Sequence, residues 1–275
     1  MNRRILFIAL VFSFLLSACS EYNKILKSTD SELKLRKSFE YYDKKDYDRA
    51  LPLLEDLVSS GVYRGKDQAE KVYFTYAYCH WYLSEYYLAA YYFKMFAKTY
   101  PGSRYAEESL FMSAMCNVKN SPNWSLDQTE TYDAINELQL FMNRYPESAR
   151  RDTCNKIMDN LYYKLETKAF ENAYLYYKVE NYKSASVALK SMLEEYPNTR
   201  YQERSMYLIV RSDFLLASNS TDKKKLERYE QTIKSYTNFV ALYPQSEYKA
   251  ELEQIYDASA KAIVELKNSN KTEEK

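Results

Sequence analysis

Glycine, proline and histidine are all scarce in this 275-residue chain, which contains three glycines, six prolines and one histidine. Scarcity of glycine excludes phosphate-binding loops and tight hairpin turns, which depend on that residue. The sequence also lacks a Walker loop, a zinc-protease motif and a nucleophile elbow. The lone His80, between Cys79 and Trp81, is interpreted as a packed side chain rather than a metal ligand. These absences predict an all-α chain that is not an enzyme.

A strong net charge is missing too. The formal charge is +1, and it falls to about −1 if residues 1–18, with Arg3 and Arg4, are removed. Nucleic-acid binding usually requires a basic face. No nucleic-acid partner is therefore predicted.

The N-terminus has the pattern of a lipoprotein signal peptide. Arg3 and Arg4 precede the apolar run 5–16, which ends in Leu16-Ser17-Ala18-Cys19. This run is shorter than the roughly 20 residues that span a bilayer as a helix. Cleavage would leave Cys19 at the mature N-terminus, carrying a covalent diacylglycerol and an N-acyl chain, and no other cofactor is expected. The alternative is an ordinary signal peptide that happens to precede a cysteine.

The residues that follow Cys19 indicate which membrane the lipoprotein is sorted to. Ser20 stands where an aspartate would be the retention signal of the inner membrane in enteric bacteria, and no acidic run follows. The expected location is the periplasmic face of the outer membrane, with the chain held by its lipid anchor.

Three cysteines remain, Cys79, Cys116 and Cys154. They are interpreted as buried thiols, although the sequence leaves a disulfide between two of them open.

A repeat runs through the rest of the chain. A tyrosine-proline pair followed two residues later by serine or threonine occurs four times, with spacings of 45, 51 and 47 residues, at Tyr100-Pro101, Tyr145-Pro146, Tyr196-Pro197 and Tyr243-Pro244. Periods in this range are typical of helical solenoids. Proline restricts the preceding residue to non-helical geometry, and the serine or threonine is expected to cap the next helix.

Small and large residues stand at fixed offsets before each tyrosine. Eleven, seven and four residues earlier there is a small, a large apolar and a second large apolar residue, as in Ala89, Phe93 and Phe96. This spacing places them on one face of a helix. Gly61 takes the place of the tyrosine in a degenerate first repeat, after Ala50, Leu54 and Leu57. The pattern matches the second helix of a tetratricopeptide unit.

The repeats predict a superhelical array of five tetratricopeptide-like helix pairs and a C-terminal capping helix. The pairs are placed at about 32–60, 67–100, 103–145, 149–196 and 200–243. The domain prediction is a signal peptide over 1–18, a lipidated tether over 19–31, repeats one to three over 32–145, repeats four and five with the capping helix over 146–267, and a polar tail over 268–275. Two insertions, 119–128 and 218–225, are placed between the helices of a pair, as rim sites for partners or as solvated loops.

Aromatic residues recur on the first helices of several pairs. In a standard tetratricopeptide arrangement they face the groove, where rigid rings suit an extended peptide. The alternative is that this face is simply the core between helices. The candidate client groove consists of Phe39, Tyr42, Phe74, Tyr78, Trp81, Tyr174 and Tyr177.

With its lipobox, five pairs and Tyr-Pro corners, the chain resembles the BamD family, the tetratricopeptide lipoproteins of the outer-membrane β-barrel assembly machinery. The resemblance covers residues 16–266, and its most telling stretches are Tyr76-Ala77-Tyr78, residues 173–177 and the corner at 195–199. It implies that the first three repeats receive the terminal targeting segments of unfolded outer-membrane proteins. It also implies that the last two hold a periplasmic domain of a BamA-type barrel protein.

One departure concerns that partner. Family members in proteobacteria carry an arginine on the second helix of repeat four, where this chain has Ala188. The nearest basic side chains, Lys183 and Lys190, are the candidate partner face.

A different adaptor lipoprotein, one that coordinates cell-wall or division proteins, is the alternative function. An enzyme or a glycan-binding lipoprotein is a third and weaker one.

Overall fold

The computed structural model describes residues 21–273, with side chains as far as residue 269. The signal peptide, Cys19 and the end of the polar tail lie outside these residues. Eleven helices fill most of the described range: α1 Ser31–Asp43, α2 Tyr47–Ser59, α3 Ala69–Tyr82, α4 Tyr86–Thr99, α5 Ala106–Asn120, α6 Thr129–Arg144, α7 Arg151–Lys178, α8 Tyr182–Glu195, α9 Gln202–Ser218, α10 Asp222–Leu242 and α11 Lys249–Glu273. Residues 21–273 contain no β-strand. Five helix pairs followed by a C-terminal helix confirm the predicted fold class.

The chain divides into two compact units, one ending at Met158 and the other beginning at Asp159. The division falls within α7. The 28-residue α7 contains no proline or glycine. Unit 1 contains α1 to α6 and the start of α7, and unit 2 contains the rest.

The predicted core pattern is confirmed. At the small position of the second helices, Ala50, Ala89, Ala134, Ala185 and Thr232 are each fully buried. The large positions are buried with them in every pair, with half-buried Tyr236 as the exception. Small residues allow two helices to approach closely, and the large ones fill the space beside them.

The four Tyr-Pro corners have nearly the same backbone geometry. Tyr100, Tyr145, Tyr196 and Tyr243 end their helices with φ between −124° and −127° and ψ between 62° and 71°. The following serine or threonine is not the N-cap that the sequence predicted. Its hydroxyl accepts from the backbone N–H two residues on, as in Ser103 with Tyr105, and α5 begins only at Ala106. The residue shapes the turn before the helix.

Each pair is closed by one side-chain hydrogen bond. A hydroxyl in the segment that leaves the pair donates to a Glu or Gln oxygen on the first helix of the same pair. The five bonds are Tyr63 to Glu32 at 2.9 Å, Ser103 to Glu70 at 2.6 Å, Ser148 to Glu107 at 2.6 Å, Thr199 to Glu166 at 2.9 Å and Tyr243 to Gln202 at 2.5 Å. We call these bonds the pair latches. They fix the exit of each pair against its entrance.

The turn inside three pairs uses a left-handed residue that is not glycine. Lys45, Ser84 and Glu180 have φ of 61°, 63° and 60°, each two residues before the tyrosine that begins the second helix. A residue with a Cβ atom pays roughly 1–2 kcal/mol for this conformation. The turns therefore hold local strain that the packing of the two helices maintains.

The two predicted insertions differ in structure. Residues 121–128 form an irregular loop between α5 and α6, and the buried Gln128 amide holds it by donating to the carbonyls of Asn123 and Leu126. The second insertion is mostly helical, because only residues 219–221 separate α9 from α10. Its extra length is absorbed as additional helical turns, so the expectation of a long loop there is wrong.

The described part of the predicted tether is not free chain. Residues 21–26 are helical and Ile25 is buried. Tyr22 packs edge-on against Tyr41, and its hydroxyl donates to the carbonyl of Arg49 at 3.3 Å. The N-terminal segment therefore docks on the first pair, and the span between Cys19 and folded structure is shorter than predicted.

Candidate protein-interaction surfaces

The candidate groove residues all lie at the margin of the core. Each ring is half-buried, with one side packed on buried neighbours. The groove and core interpretations therefore each describe one side of the same rings. The first helices place these residues at spacings of three and four, which aligns them along one face.

In unit 1 the rings form a continuous cluster around α3. Phe74 stacks on Tyr105 at 4.5 Å between centroids and meets Tyr78 edge-on at 4.9 Å. Tyr78 stacks in turn on Tyr82, and Tyr82 stacks on Tyr47 at 4.5 Å. Tyr82 is 47% exposed, so this cluster, the α3 cluster, reaches solvent. Phe39, Tyr42 and Trp81 lie beside it, against Lys71, Tyr47 and Tyr86.

Hydrogen bonds hold the α3 cluster in place. The Tyr78 hydroxyl donates to the carboxylate of Glu108 on α5. Burial, and then this hydrogen bond, raise the pKa of Tyr78 far above its usual value. Burial likewise raises the pKa of Tyr42. Both phenols stay neutral at physiological pH and present hydrogen-bonding tips without a charge.

In unit 2 five rings stand in a row, four of them on α7 and the fifth, Tyr201, directly before α9. Tyr163 stacks on Tyr201 at 6.0 Å, Tyr201 on Phe170 at 4.4 Å and Phe170 on Tyr174 at 5.7 Å, with interplanar angles of 5°, 7° and 14°. Tyr174 continues to Tyr177 at 6.0 Å. We call these five residues the ring stack. Hydroxyl contacts of Tyr201 with Thr167 at 3.0 Å and Tyr163 at 3.2 Å lock its middle.

Basic side chains cover the ring stack. The guanidinium of Arg200 lies 4.6 Å from the centre of Tyr163, and that of Arg204 lies 5.1 Å from Phe170 and 5.0 Å from Tyr174. Arg211 lies over Tyr177 at 5.7 Å and pairs with Glu251 at 3.3 Å. The sequence reasoning missed these arginines. The adjacent pairs Arg104-Tyr105 and Arg200-Tyr201, each directly after a corner, were the available signal.

The two candidate partner-face lysines lie in different surroundings. Lys183 is exposed and lines a shallow cavity of about 430 Å³ with Tyr176, Val187 and Ala188. Lys190 lines a second cavity of about 220 Å³ and turns inward to Asp213. The two lysines therefore line different cavities, and the partner face stays a prediction.

Asp213 is a buried carboxylate that joins three helices of unit 2. It is 4% exposed, and it accepts from Ser186 on α8 at 2.5 Å and from Ser235 on α10 at 2.7 Å. Lys190 donates to the same carboxylate at 3.3 Å. This network joins pair four to pair five, and Lys190 takes part in it with a side chain that is 40% exposed.

The described cysteines and the histidine are all buried in the helical packing. Cys79, Cys116 and Cys154 are buried free thiols, and burial raises the pKa of Cys79 and Cys116 to about 12. His80 is packed as predicted: its ring stacks on Tyr92, and Nδ1 contacts Glu85 at 2.6 Å. Residues 21–269 contain no group of three or more His, Cys, Asp or Glu side chains arranged to hold a metal ion.

The chain is similar to known proteins. The model of a family described as an outer membrane lipoprotein, YfiO, matches residues 29–171 and 163–266. Among solved structures the chain is similar to the tetratricopeptide domain of P58(IPK), with 14% identity over 92% of this chain and 69% of that one and a TM-score of 0.41. No curated protein matches the chain. None of the described helices is long and apolar enough to cross a membrane.

Proposed function

Because the chain belongs to the YfiO family of outer membrane lipoproteins, we propose that it is a BamD-type scaffold of the β-barrel assembly machinery. In this role it binds a periplasmic domain of a BamA-type barrel protein and the terminal targeting segments of unfolded outer-membrane proteins. The acyl chains on Cys19 hold it at the periplasmic face of the outer membrane. Two or more acyl chains suffice for stable anchoring.

The observation that carries the proposal is the α3 cluster. A half-buried row of rings that is already locked by stacking and hydrogen bonds loses little entropy when a peptide covers it. The terminal strand of a β-barrel alternates apolar and polar residues, so its apolar side chains can lie on the exposed part of Tyr82, which stacks on Tyr47. This surface suits an extended, partly apolar segment better than a small polar ligand.

The proposed partner face is the exposed part of pair four. Leu175, Val179 and Val187 are 54%, 62% and 57% exposed, and Lys183 lies beside Val187. Exposed apolar side chains with a nearby charge are typical of protein interfaces. The face therefore supports contact with a folded domain.

The test is site-specific photocrosslinking in the native membrane. A photoreactive amino acid replaces Tyr82 in one strain and Lys183 in another, with Lys223 on α10 as a control position. We expect crosslinks from position 82 to outer-membrane proteins and from position 183 to a BamA-type protein. Crosslinks from both positions to cell-wall or division proteins would instead support the alternative adaptor function.

Anchoring is tested separately with Cys19→Ala. We expect the variant to fold, to leave the membrane fraction and to fail to complement the wild-type gene. Normal complementation by the unanchored chain would contradict the role of the anchor and leave the crosslinking result unaffected.

A further inference from the structure

Two arginines on the ring stack of unit 2 form no ion pair with a described residue. Among residues 21–269 no carboxylate lies within ion-pair distance of Arg200 or Arg204, and both side chains are exposed. Three carboxylates near the stack already have other partners. Glu166 accepts from Thr199, Glu171 pairs with Lys178, and Glu251 pairs with Arg211. The surface has two free positive charges in a chain that is close to neutral overall.

These arginines are held in defined positions. Each guanidinium lies over an aromatic ring at 4.6–5.1 Å, which is within the range of a cation–π contact. A guanidinium held on a ring keeps its N–H groups available at its edges, where they can bind a carboxylate with two parallel hydrogen bonds. The rings below are themselves locked by stacking and by the hydroxyl contacts of Tyr201. Binding would therefore order few additional groups.

The surroundings indicate which kind of anion fits. Tyr163 is 37% exposed beside Arg200, so a flat apolar surface lies directly next to the charge. A protein segment that alternates acidic and apolar side chains satisfies both features. A phosphate or lipid headgroup would use the charges alone. Charge complementarity and ring exposure together favour the protein segment.

We infer that Arg200 and Arg204, on the ring stack, form a binding surface for an acidic segment of a partner protein. The inference rests on the proposed function only in taking the ligand to be a protein segment. The two carboxylates of that segment would bind the guanidinium groups over Tyr163 and Phe170. Its apolar side chains would cover the exposed part of the Tyr163 ring.

The experiment measures peptide binding by fluorescence anisotropy, with the full chain purified in detergent. The probes are a labelled ten-residue peptide of alternating glutamate and valine and a second one of alternating lysine and valine. We expect the acidic peptide to bind, the basic one not to bind, and the affinity to fall as salt is raised. Arg200→Gln/Arg204→Gln should raise Kd by about tenfold or more, because two charge-assisted pairs are lost.

Two further variants separate this surface from general charge. Lys223→Gln/Lys224→Gln removes the same charge from exposed positions of the same unit and should change Kd less than twofold. Arg200→Lys/Arg204→Lys keeps the charge but loses the planar donor pair, and its Kd should lie between those of wild type and the glutamine variant.

Two results would overturn the inference. One is an unchanged Kd in the glutamine variant. The other is displacement of the peptide by millimolar glycerol phosphate but not by acetate at equal ionic strength, which would assign the surface to a phosphate headgroup. Because the probes are isolated peptides, neither result bears on whether the chain joins the assembly machinery.

Discussion

Asp213 offers the sharpest test of how unit 2 is held together. Asp213→Ala removes two buried hydrogen bonds, from Ser186 at 2.5 Å and from Ser235 at 2.7 Å, and the contact with Lys190 at 3.3 Å. Hydrogen bonds to a charged group contribute about 1.5–3 kcal/mol each. The Lys190 side chain is 40% exposed, so its contact adds little. Removing the carboxylate also removes the cost of burying it, and we expect a net loss of about 3 kcal/mol in the free energy of unfolding.

The assay is urea denaturation followed by circular dichroism, together with hydrogen exchange of peptides from α8, α9 and α10. Exchange should accelerate in those helices and not in α1 to α4. The control is Glu253→Ala, which breaks an exposed pair with Lys249 and should cost about half a kcal/mol or less.

A triple variant that replaces all three side chains of the buried hydrogen-bond network tests the same explanation. Ser186→Ala/Asp213→Leu/Ser235→Ala removes the two buried hydroxyl partners together with the carboxylate, so neither hydroxyl loses its acceptor, and the variant should be more stable than Asp213→Ala alone. An unfolding free energy of Asp213→Ala within about 0.5 kcal/mol of wild type would refute the account, since it would lie within the range of ordinary surface substitutions.

Three other measurements address separate features. Ser84→Gly should stabilise the chain by about 1 kcal/mol, because glycine adopts φ of 63° without strain, whereas Ser84→Ala should give no gain in thermal denaturation. Thr199→Val removes the pair latch to Glu166 and should cost about 1–2 kcal/mol; Thr237→Val, at an exposed hydroxyl bonded within its own helix, should cost less in the same assay. Burial raises the pKa of Cys79 and Cys116 from the ordinary thiol value of 9.0 to about 12, so the folded chain retains protons that the unfolded chain releases. The free energy of unfolding should therefore fall as pH rises above about 9, and thiol reagents at pH 8 should label only unfolded protein.

Most of the fold followed from periodicity. The Tyr-Pro corners and the small residues ahead of them mark where helices end and where they pack, and those two constraints suffice to place five pairs. Positions such as Ala89 admit no larger side chain because they are fully buried against the neighbouring helix. The insertion at 218–225 was misjudged because a break in the repeat period shows extra length but not its conformation, and the lysines of this segment are good helix formers.

The candidate surfaces were only partly predictable. Helical spacing identified the rings of α3 and α7, but it could not show which side of a ring meets solvent. The positions of Arg200 and Arg204 depend on a corner that turns them back onto α7, and that geometry is not contained in any local pattern. The inward turn of Lys190 similarly depends on Asp213, which is 23 residues away in sequence.

The pair latches have a consequence for how damage spreads. Each latch joins two ends of the same pair, so breaking one loosens that pair and the adjoining face of its neighbour. In repeat proteins stability is close to a sum of contributions from single repeats and their nearest neighbours. A proteolytic nick or a destabilising mutation in one pair therefore leaves distant pairs folded, and a chain with one failed latch retains much of its remaining surface for its partners.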